Sequence, residues 1–295
     1  MPNITGHTEL VGLMAYPIRH TQSPTTHNLA YDKNGDDVIQ LAFEVDNDSL
    51  EAAVNSIRAL KMLGSNISMP NKTVVHKYLE EVDEAAQLCG AINTVVNMRD
   101  ENGQVTGRLK GYNTDGMGYW QGIKEEGIDF KGMKMVLIGT GGAATAIAVR
   151  GALDGIAELH IFNIKDKFYS RGEEIVEKIN NNTSCKATMN DLEDLALLKE
   201  KMQEADIFCD ATGVGMHPLE DLSNIPDTSF FRPDLIVTDT VYAPRETVMM
   251  KQAKEAGCTR VYNGMSMMLF QALIAIELYT GKSTDVEYMK EQLGI

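Results

Sequence analysis

The chain has 295 residues, of which 43% are hydrophobic and 23% charged, as in an ordinary folded protein of two domains. Its formal net charge of −15 argues against a nucleic-acid partner, because phosphate neutralisation needs clustered Lys and Arg. No apolar run approaches the roughly 20 residues of a membrane helix, and the first residues show no basic region followed by an apolar run. We therefore expect a cytoplasmic protein with no membrane partner.

The first 115 residues alternate between two patterns. Short apolar runs predict strands, and apolar residues at helical spacing predict helices. The predicted strands cover residues 10–16, 39–45, 65–69 and 109–112, and the predicted helices cover residues 23–33, 49–63 and 116–124. Ser23 is expected at the N-cap of its helix, with Pro24 at the first helical position. Asp100-Glu101-Asn102-Gly103 lies between two strand-like runs and predicts a hairpin that closes this domain.

From Lys131 onward the pattern is a repeated strand and helix. The predicted strands cover residues 135–138, 159–162, 207–211, 235–240 and 260–262, with helices that include residues 173–180 and 247–256. This alternation predicts a doubly wound parallel sheet. A long apolar helix over residues 266–280 follows, and Gly281 is expected to end it.

A glycine-rich turn, Gly139-Thr140-Gly141-Gly142-Ala143-Ala144, follows the first strand of this region and precedes an alanine-rich helix. Strand, glycine turn and helix are the context of a dinucleotide-binding fingerprint. Gly139 permits the tight turn, and Gly141 lets backbone amides approach a pyrophosphate at the helix N-terminus. The turn indicates a nucleotide cofactor, and a purely structural turn is the alternative.

Two polar residues are candidates for the proton transfer that accompanies hydride transfer between an alcohol and a nicotinamide. Lys72 follows a predicted strand in Ser68-Met69-Pro70-Asn71-Lys72, and Asp115 precedes a predicted helix. The alternatives are a solvated surface lysine and a helix N-cap. The histidines and the four cysteines have no metal-ligand spacing, so we expect no metal and reduced cysteines that pack as small apolar residues.

Six motifs in order resemble the shikimate dehydrogenase family across essentially the whole chain. They are Ser23-Pro24-(x)2-His27-Asn28, Ser68-Met69-Pro70-Asn71-Lys72, Gly90-Ala91-Ile92-Asn93-Thr94, Asn113-Thr114-Asp115-Gly116, Gly139-Thr140-Gly141-Gly142-Ala143 and Gly264-Met265-(x)2-Met268-Leu269-(x)-Gln271. Phe43-Glu44-Val45-Asp46-Asn47-Asp48 is most similar to the quinate/shikimate dehydrogenase branch. The resemblance implies an α/β fold with the active site in the cleft between two domains. We expect a substrate-binding domain over residues 1–115, a Rossmann domain over 116–265, and C-terminal helices over 266–295 that pack toward the first domain.

The resemblance implies reversible oxidation of shikimate to 3-dehydroshikimate, of quinate to 3-dehydroquinate, or of both. Lys72 and Asp115 would form the catalytic pair, with Lys72 exchanging the hydroxyl proton. The residues implied to bind the substrate are Thr21 and Ser23 at the carboxylate, Ser68, Asn93 and Gln271 at ring hydroxyls, and Tyr242 near the carboxylate end. A strand-end turn role for Asn93 and a partly exposed helical position for Gln271 are the alternatives.

The cofactor choice depends on the end of the second Rossmann strand. In the family that this chain resembles, members that prefer NADP carry an arginine at the position of Ile164. Asp166, two residues later, would accept hydrogen bonds from a ribose and repel a phosphate. We therefore favour NAD, with NADP as the alternative because Lys165 and Lys167 are nearby. The residues implied to bind the cofactor are Gly139, Gly141, Gly142, Ala143, Asn163, Asp166, Val214 and Gly264.

Three other interpretations remain open at this point. The first is a strictly biosynthetic, NADP-dependent shikimate dehydrogenase. The second is a methylenetetrahydrofolate dehydrogenase, which also has a catalytic lysine but a Gly-Arg-Ser nucleotide loop that this chain lacks. The third is a non-catalytic sensor of a nicotinamide or a cyclitol acid, which the presence of both Lys72 and Asp115 disfavours. A homodimer is possible.

Overall fold

The computed structural model describes residues 4–295. The chain divides into two compact units, each built on one six-stranded sheet. Of the described residues, the first unit contains residues 4–118 together with Leu269–Ile295, and the second is Tyr119–Met268.

The sheet of the first unit is mixed. Its strands are β1 (Glu9–Ala15), β2 (Val38–Glu44), β3 (Gly64–Ile67), β4 (Glu81–Val82), β5 (Thr94–Arg99) and β6 (Val105–Tyr112), in the order β2-β1-β3-β5-β6-β4. Strand β1 runs parallel to β2 and β3, whereas β5 is antiparallel to β3 and β6. The turn between β5 and β6 contains Asp100 to Gly103, so the predicted hairpin is confirmed.

Four helices accompany this half of the chain: α1 (Ser23–Asn34), α2 (Leu50–Ala59), α3 (Glu84–Cys89) and α4 (Thr114–Glu125). The N-cap of α1 is Gln22 and not Ser23, so the predicted cap was wrong by one residue. Helix α2 ends four residues before the predicted end. Lys61 turns the backbone with a φ of 52°, and the buried Met62 and Leu63 lead into β3.

The sheet of the second unit is wholly parallel. Its strands are β7 (Lys134–Ile138), β8 (Glu158–Asn163), β9 (Lys186–Asp191), β10 (Ile207–Asp210), β11 (Ile236–Asp239) and β12 (Val261–Tyr262). The helices are α5 (Gly142–Asp154), α6 (Tyr169–Asn182), α7 (Leu195–Glu204) and α8 (Val248–Glu255). The order β9-β8-β7-β10-β11-β12 is that of a doubly wound dinucleotide-binding sheet, so the predicted Rossmann-type fold is confirmed. Strand β9 and helix α7 were not predicted.

Burial explains why these strands form. Residues 135–138 of β7 are fully buried, as expected for a central parallel strand covered by helices on both faces. Beside this sheet, α4 and α5 pack closely, because Trp120 donates its indole N–H to the carbonyl of Ile147 at 2.9 Å. A Cβ at Gly151 would lie 2.4 Å from the Trp120 ring, so the contact requires a glycine.

The chain ends in two helices, α9 (Met265–Thr280) and α10 (Val286–Leu293). Apolar side chains of α9, among them Phe270 and Ile276, share a core cluster with Val11 of β1 and Tyr31 of α1. Gly281, with a φ of 73°, follows the last residue of α9, as predicted. Within residues 4–295, no helix has the length and apolar character needed to cross a membrane.

Candidate functional site

A polar pocket of about 150 Å³ lies in the first unit. Seven of the residues predicted to bind or transform a substrate line it: Thr21, Ser23, Ser68, Lys72, Asn93, Asp115 and Gln271. The remaining lining residues are Leu13, Ile18, Asn66 and Ile67. Tyr242, the eighth predicted residue, belongs to the second unit, where its side chain is 47% exposed.

Lys72 and Asp115 form an ion pair in this pocket. Lys72 Nζ donates to Asp115 Oδ2 at 2.8 Å, and the two side chains are 25% and 19% exposed. Lys72 lies on a short 3₁₀ turn, Asn71–Thr73, which follows β3. The alternative of a solvated surface lysine is therefore wrong. A paired and partly desolvated lysine is suited to exchange a proton with a bound hydroxyl.

Asp115 lies in the first turn of α4, but its side chain does not cap that helix. The cap is Asn113, whose Oδ1 accepts the backbone N–H of Asp115 at 3.1 Å. Asp115 Oδ1 instead accepts Nδ2 of Asn93 at 2.9 Å, while Oδ2 accepts Lys72. The alternative of a capping aspartate is therefore wrong, and both carboxylate oxygens face the pocket residues.

Asn93 is 4% exposed and precedes β5. Its backbone is bonded on both sides, since its carbonyl accepts from Ile67 N at 2.7 Å and its N–H donates to Tyr112 O at 3.0 Å. Its side-chain Oδ1 accepts the backbone N–H of Thr114 at 2.8 Å. Because a backbone N–H only donates, this bond fixes the amide orientation and directs Nδ2 to Asp115.

Thr21 and Ser23 contribute short hydroxyl groups to the pocket. Thr21 Oγ1 accepts the backbone N–H of Ser23 at 3.2 Å. Burial lowers the pKa of His27 to about 4, and its Nδ1 lies 3.0 Å from the carbonyl of Ser23, so the neutral ring carries its proton on Nδ1. The Ser23 hydroxyl therefore keeps its own proton, which it donates to Gln40 Oε1 at 3.4 Å.

Helix α9 brings Gln271 to the pocket by a close backbone approach. A Cβ at Gly118 of α4 would lie 2.5 Å from the backbone nitrogen of Gln271, so only glycine allows the two helices this spacing. Gln271 is partly buried and lines the pocket.

Asn66 is a pocket residue that the sequence analysis missed. It is 6% exposed and lies in β3, whose four residues are all buried. Asn is disfavoured in strands, and a buried polar residue needs hydrogen-bond partners. The Ser-Asn pair inside an otherwise apolar run was therefore a usable signal.

The glycine turn of the second unit has the features that a pyrophosphate site needs. Gly139 has a φ of 112°, and a Cβ there would lie 3.0 Å from the carbonyl of Ala211. A Cβ at Gly141 or Gly142 would meet nothing within 4 Å, so the space before α5 is open. The first turn of α5 contains no acidic residue, and no side chain caps it. Its free amide groups, which include that of Ala143, fit an anionic ligand.

The end of β8 leads into a turn organised by Asp166. Its Oδ1 accepts Asn163 Nδ2 at 3.2 Å and the backbone N–H of Phe168 at 2.9 Å. Lys165 pairs with Asp191 at 2.9 Å, so its charge is already partly neutralised. Ile164 is 49% exposed on the same turn. The turn therefore presents a carboxylate and an apolar side chain rather than an arginine.

Two buried carboxylates hold the loops that follow β10 and β11. Asp210 Oδ1 accepts the backbone N–H and the hydroxyl of Thr212, and Thr212 Oγ1 accepts the N–H of Val214 at 3.1 Å. Asp239 accepts the N–H of Val241 and the hydroxyl of Thr247, both at 2.8 Å. These bonds position the segments that carry the predicted cofactor residue Val214 and the predicted substrate residue Tyr242.

Asp210 and Asp239 are paired neighbours on adjacent strands and are 2% and 3% exposed. Burial and the neighbouring Asp210 carboxylate raise the pKa of Asp239 to about 7, and burial also raises the pKa of Asp210. Close beside Asp239, Gly264 has no room for a side chain, because a Cβ would lie 2.1 Å from the carbonyl of Thr240. Across residues 4–295, no group of three His, Cys, Asp or Glu residues forms a potential metal site.

The known proteins that this chain is similar to include shikimate dehydrogenases, both by sequence and by structure. Residues 13–95 match the model of the shikimate dehydrogenase substrate-binding domain. The chain is 50% identical to a shikimate dehydrogenase (NADP(+)) of Listeria monocytogenes, over 98% of this chain and 97% of the relative. It is 46% identical to a quinate/shikimate dehydrogenase of Escherichia coli, over 99% of both chains. The solved structure of Listeria monocytogenes shikimate 5-dehydrogenase in complex with shikimate and NAD is 49% identical and superposes with a TM-score of 0.94, covering 99% of both chains.

The raised pKa of Asp239 predicts how stability depends on pH. A buried carboxyl with a raised pKa is favourable when protonated, so its contribution is lost as pH rises from the unfolded value of 3.8 towards about 7. Asp239→Asn should therefore gain about 2 kcal/mol of unfolding free energy relative to wild type between about pH 5 and about pH 8. Urea unfolding of both proteins across this range measures the difference.

Asp285→Asn is the matched control. Asp285 is an exposed N-cap of α10 with a lowered pKa, and Asn caps helices equally well, so this variant should follow the wild-type pH dependence. Parallel curves for wild type and Asp239→Asn would show that Asp239 is ionised throughout the range.

Proposed function

Because this chain belongs to the shikimate dehydrogenase family, we propose that it oxidises a ring hydroxyl of shikimate reversibly, with a nicotinamide cofactor as the hydride acceptor. The observation that carries the proposal is the Lys72–Asp115 ion pair in a polar pocket lined by hydroxyl and carboxamide groups. Quinate is proposed as a second substrate, because the Escherichia coli relative is named for both compounds.

Lys72 is the group proposed to exchange the proton of the reacting hydroxyl. Its Nζ is held at the pocket by Asp115, whose second oxygen is held by Asn93. The position of the Lys72 ammonium is therefore fixed before the substrate binds, so binding does not have to order a free lysine side chain. During reduction the Lys72 ammonium gives a proton to the carbonyl oxygen as that oxygen becomes the hydroxyl, and Lys72 is left as the neutral amine. During oxidation the neutral amine of Lys72 takes the hydroxyl proton as the carbon–oxygen double bond forms, and the ammonium is restored.

The other pocket residues are proposed to hold and orient the substrate. The hydroxyls of Thr21 and Ser23 bind the carboxylate, since short donors can bond an anion without an extra cation. Ser68, Asn93 and Gln271 bind ring hydroxyls. Tyr242 in the second unit is proposed to act near the carboxylate end. In this assignment the first unit binds the substrate and the second binds the cofactor.

The residues of the second unit fit a dinucleotide. Gly139, Gly141, Gly142 and Ala143 would hold the pyrophosphate at the N-terminus of α5, and Asn163 and Asp166 would contact the adenosine ribose. Val214 and Gly264 would shape the nicotinamide end of the site. When bound, the cofactor supplies the hydride acceptor that no side chain of the protein can provide.

NAD is proposed as the preferred cofactor, with NADP as the alternative. Asp166 offers an acceptor to the ribose hydroxyls and would repel a 2′-phosphate, while Lys165 is paired with Asp191. The structure of the Listeria monocytogenes relative is described with NAD, whereas the curated relative from that species is named for NADP(+). Lys167, whose Nζ lies 5.0 Å from the Phe168 ring centre, is the cation that could favour NADP.

Replacing Lys72 tests the proposed proton transfer. Lys72→Ala should lower kcat for shikimate about a hundredfold or more, because general acid–base help is lost. The exposed Lys77 on the following 3₁₀ turn provides the control, and Lys77→Ala should leave kcat within about twofold of wild type. Near-normal turnover in Lys72→Ala would remove Lys72 from this role. Binding of shikimate by wild type without turnover would instead favour a sensor.

Replacing Ile164 tests the cofactor assignment. Ile164→Arg places a guanidinium on the turn after β8, where it can pair with a 2′-phosphate. The ratio of kcat/KM for NADP to that for NAD should rise about tenfold, which corresponds to one charge-assisted contact. Leu60→Arg adds the same charge at an exposed position of the first unit and should leave the ratio unchanged. An unchanged ratio in Ile164→Arg would contradict the placement of the adenosine ribose.

A further inference from the structure

A continuous line of hydrogen bonds runs from the Asp115 carboxylate into the interior of the first unit. Asn93 Nδ2 donates to Asp115 Oδ1 at 2.9 Å, and Thr94 Oγ1 donates to Asn93 Oδ1 at 2.9 Å. Asn66 Nδ2 lies 3.4 Å from Thr94 Oγ1, and Gln40 Nε2 lies 2.7 Å from Asn66 Oδ1. The line therefore connects the proposed catalytic pair to Gln40, a residue of β2.

The chemistry of its members fixes the direction of this line. Asn93 Oδ1 accepts the backbone N–H of Thr114, which can only donate, so the orientation of the Asn93 amide is set. The same oxygen takes the one hydroxyl proton of Thr94, and Thr94 Oγ1 is left as an acceptor for Asn66 Nδ2. Asn66 Oδ1 must then face Gln40, whose Nε2 supplies the matching donor.

Gln40 acts from outside the pocket. Gln40 is 0% exposed, and its hydrogen-bond partner Asn66 lines the pocket whereas Gln40 is not among the lining residues. Its backbone is tied in both directions to α1, because its N–H donates to Asn28 Oδ1 at 2.7 Å and its carbonyl accepts Asn28 Nδ2 at 3.1 Å. Gln40 Oε1 lies 3.4 Å from the Ser23 hydroxyl. Gln40 is therefore a rigid donor whose position is set independently of any ligand.

We propose that Gln40 is a positioning residue for substrate recognition. It holds the Asn66 carboxamide with its oxygen turned inward, so that Nδ2 has one N–H for Thr94 and the other for a ring-hydroxyl oxygen of the substrate. Without the Gln40 donor, Asn66 Oδ1 would be a buried acceptor without a partner, and the amide would lose its fixed orientation. This inference rests on the proposed function.

Gln40→Met is the first test, because methionine keeps the length and burial of the side chain but removes both the Nε2 donor to Asn66 and the weaker Oε1 acceptor of Ser23. The KM for shikimate should rise about tenfold, the scale of one lost hydrogen bond to the substrate, while kcat and the cofactor KM change less than about twofold. Gln252→Met is the control. Gln252 is also bonded at both ends, to Ile225 O and Ser223 Oγ, and its replacement should leave the shikimate KM unchanged.

A double-mutant cycle separates positioning from a general loss of structure. Asn66→Ala alone should raise the shikimate KM, and adding Gln40→Met in that background should raise it by much less than in the wild-type background, since only the contact with Ser23 remains to be lost. An equal effect of Gln40→Met in both backgrounds would overturn the inference. Turnover of shikimate by wild type is measured first, so that failure of the proposed function is recognised separately.

Gln40→Glu provides a second variant in case the methionine is not tolerated. Its protonated carboxyl still donates to Asn66 Oδ1, whereas its carboxylate repels that oxygen. The ratio of its shikimate KM to that of wild type should therefore rise with pH. The neighbouring His27 does not contribute above about pH 6, since burial lowers its pKa to about 4. A ratio that does not change with pH would contradict the assigned role of Gln40.

Discussion

The Asp115 carboxylate is the acceptor on which the geometry of the polar pocket depends. A carboxylate only accepts hydrogen bonds, and its two oxygens are divided between Lys72 Nζ and Asn93 Nδ2. Replacing Asp115 by an apolar residue would release Lys72 and leave the Asn93 amide with Thr114 Oγ1 as its remaining acceptor. Three segments that are distant in sequence, the 3₁₀ turn after β3, the start of β5 and the first turn of α4, meet at this one group.

The cost of burying these polar groups explains why the arrangement is so interconnected. Asn66, Asn93 and Thr114 are nearly inaccessible, and each uses its side chain in at least one hydrogen bond. An unpaired buried amide costs free energy, whereas a complete network holds each group in one orientation. The pocket therefore has donors and acceptors whose directions are set before a ligand arrives, which is the preorganisation that recognition of a polyhydroxylated acid requires.

The second unit places its predicted cofactor-binding residues mainly on turns and loops that follow the strands of its parallel sheet. Its parallel strands place their carboxyl ends along one edge, and the glycine turn after β7, the Asp166 turn after β8 and the loops after β10 and β11 all follow such ends. The strand order reverses between β7 and β10, where doubly wound sheets bind their ligands. Gly139 and Gly264 are required there because their backbones approach neighbouring carbonyls too closely for a side chain.

Much of this organisation could be predicted from the sequence, because strand periodicity, the glycine turn and the Asp100–Gly103 hairpin are local signals. The capping of α4 could not be predicted from the sequence, since Asn and Asp are equally good capping residues. In the structure Asn113 caps the helix, because Asp115 is engaged by Lys72. The roles of Asn66 and Gln40 depend on pairing between β1, β2 and β3, which no local pattern encodes. Helix α2 ended early for a similar reason, because burial of Met62 and Leu63 outweighed helical spacing.

The most direct test of the account is the initial rate of nicotinamide reduction by the wild-type protein, with shikimate or quinate as substrate and NAD or NADP as cofactor. The account predicts turnover of shikimate, faster with NAD than with NADP, and a measurable rate with quinate. Binding of shikimate and cofactor without formation of the reduced nicotinamide would contradict the central claim that the Lys72–Asp115 pair is catalytic.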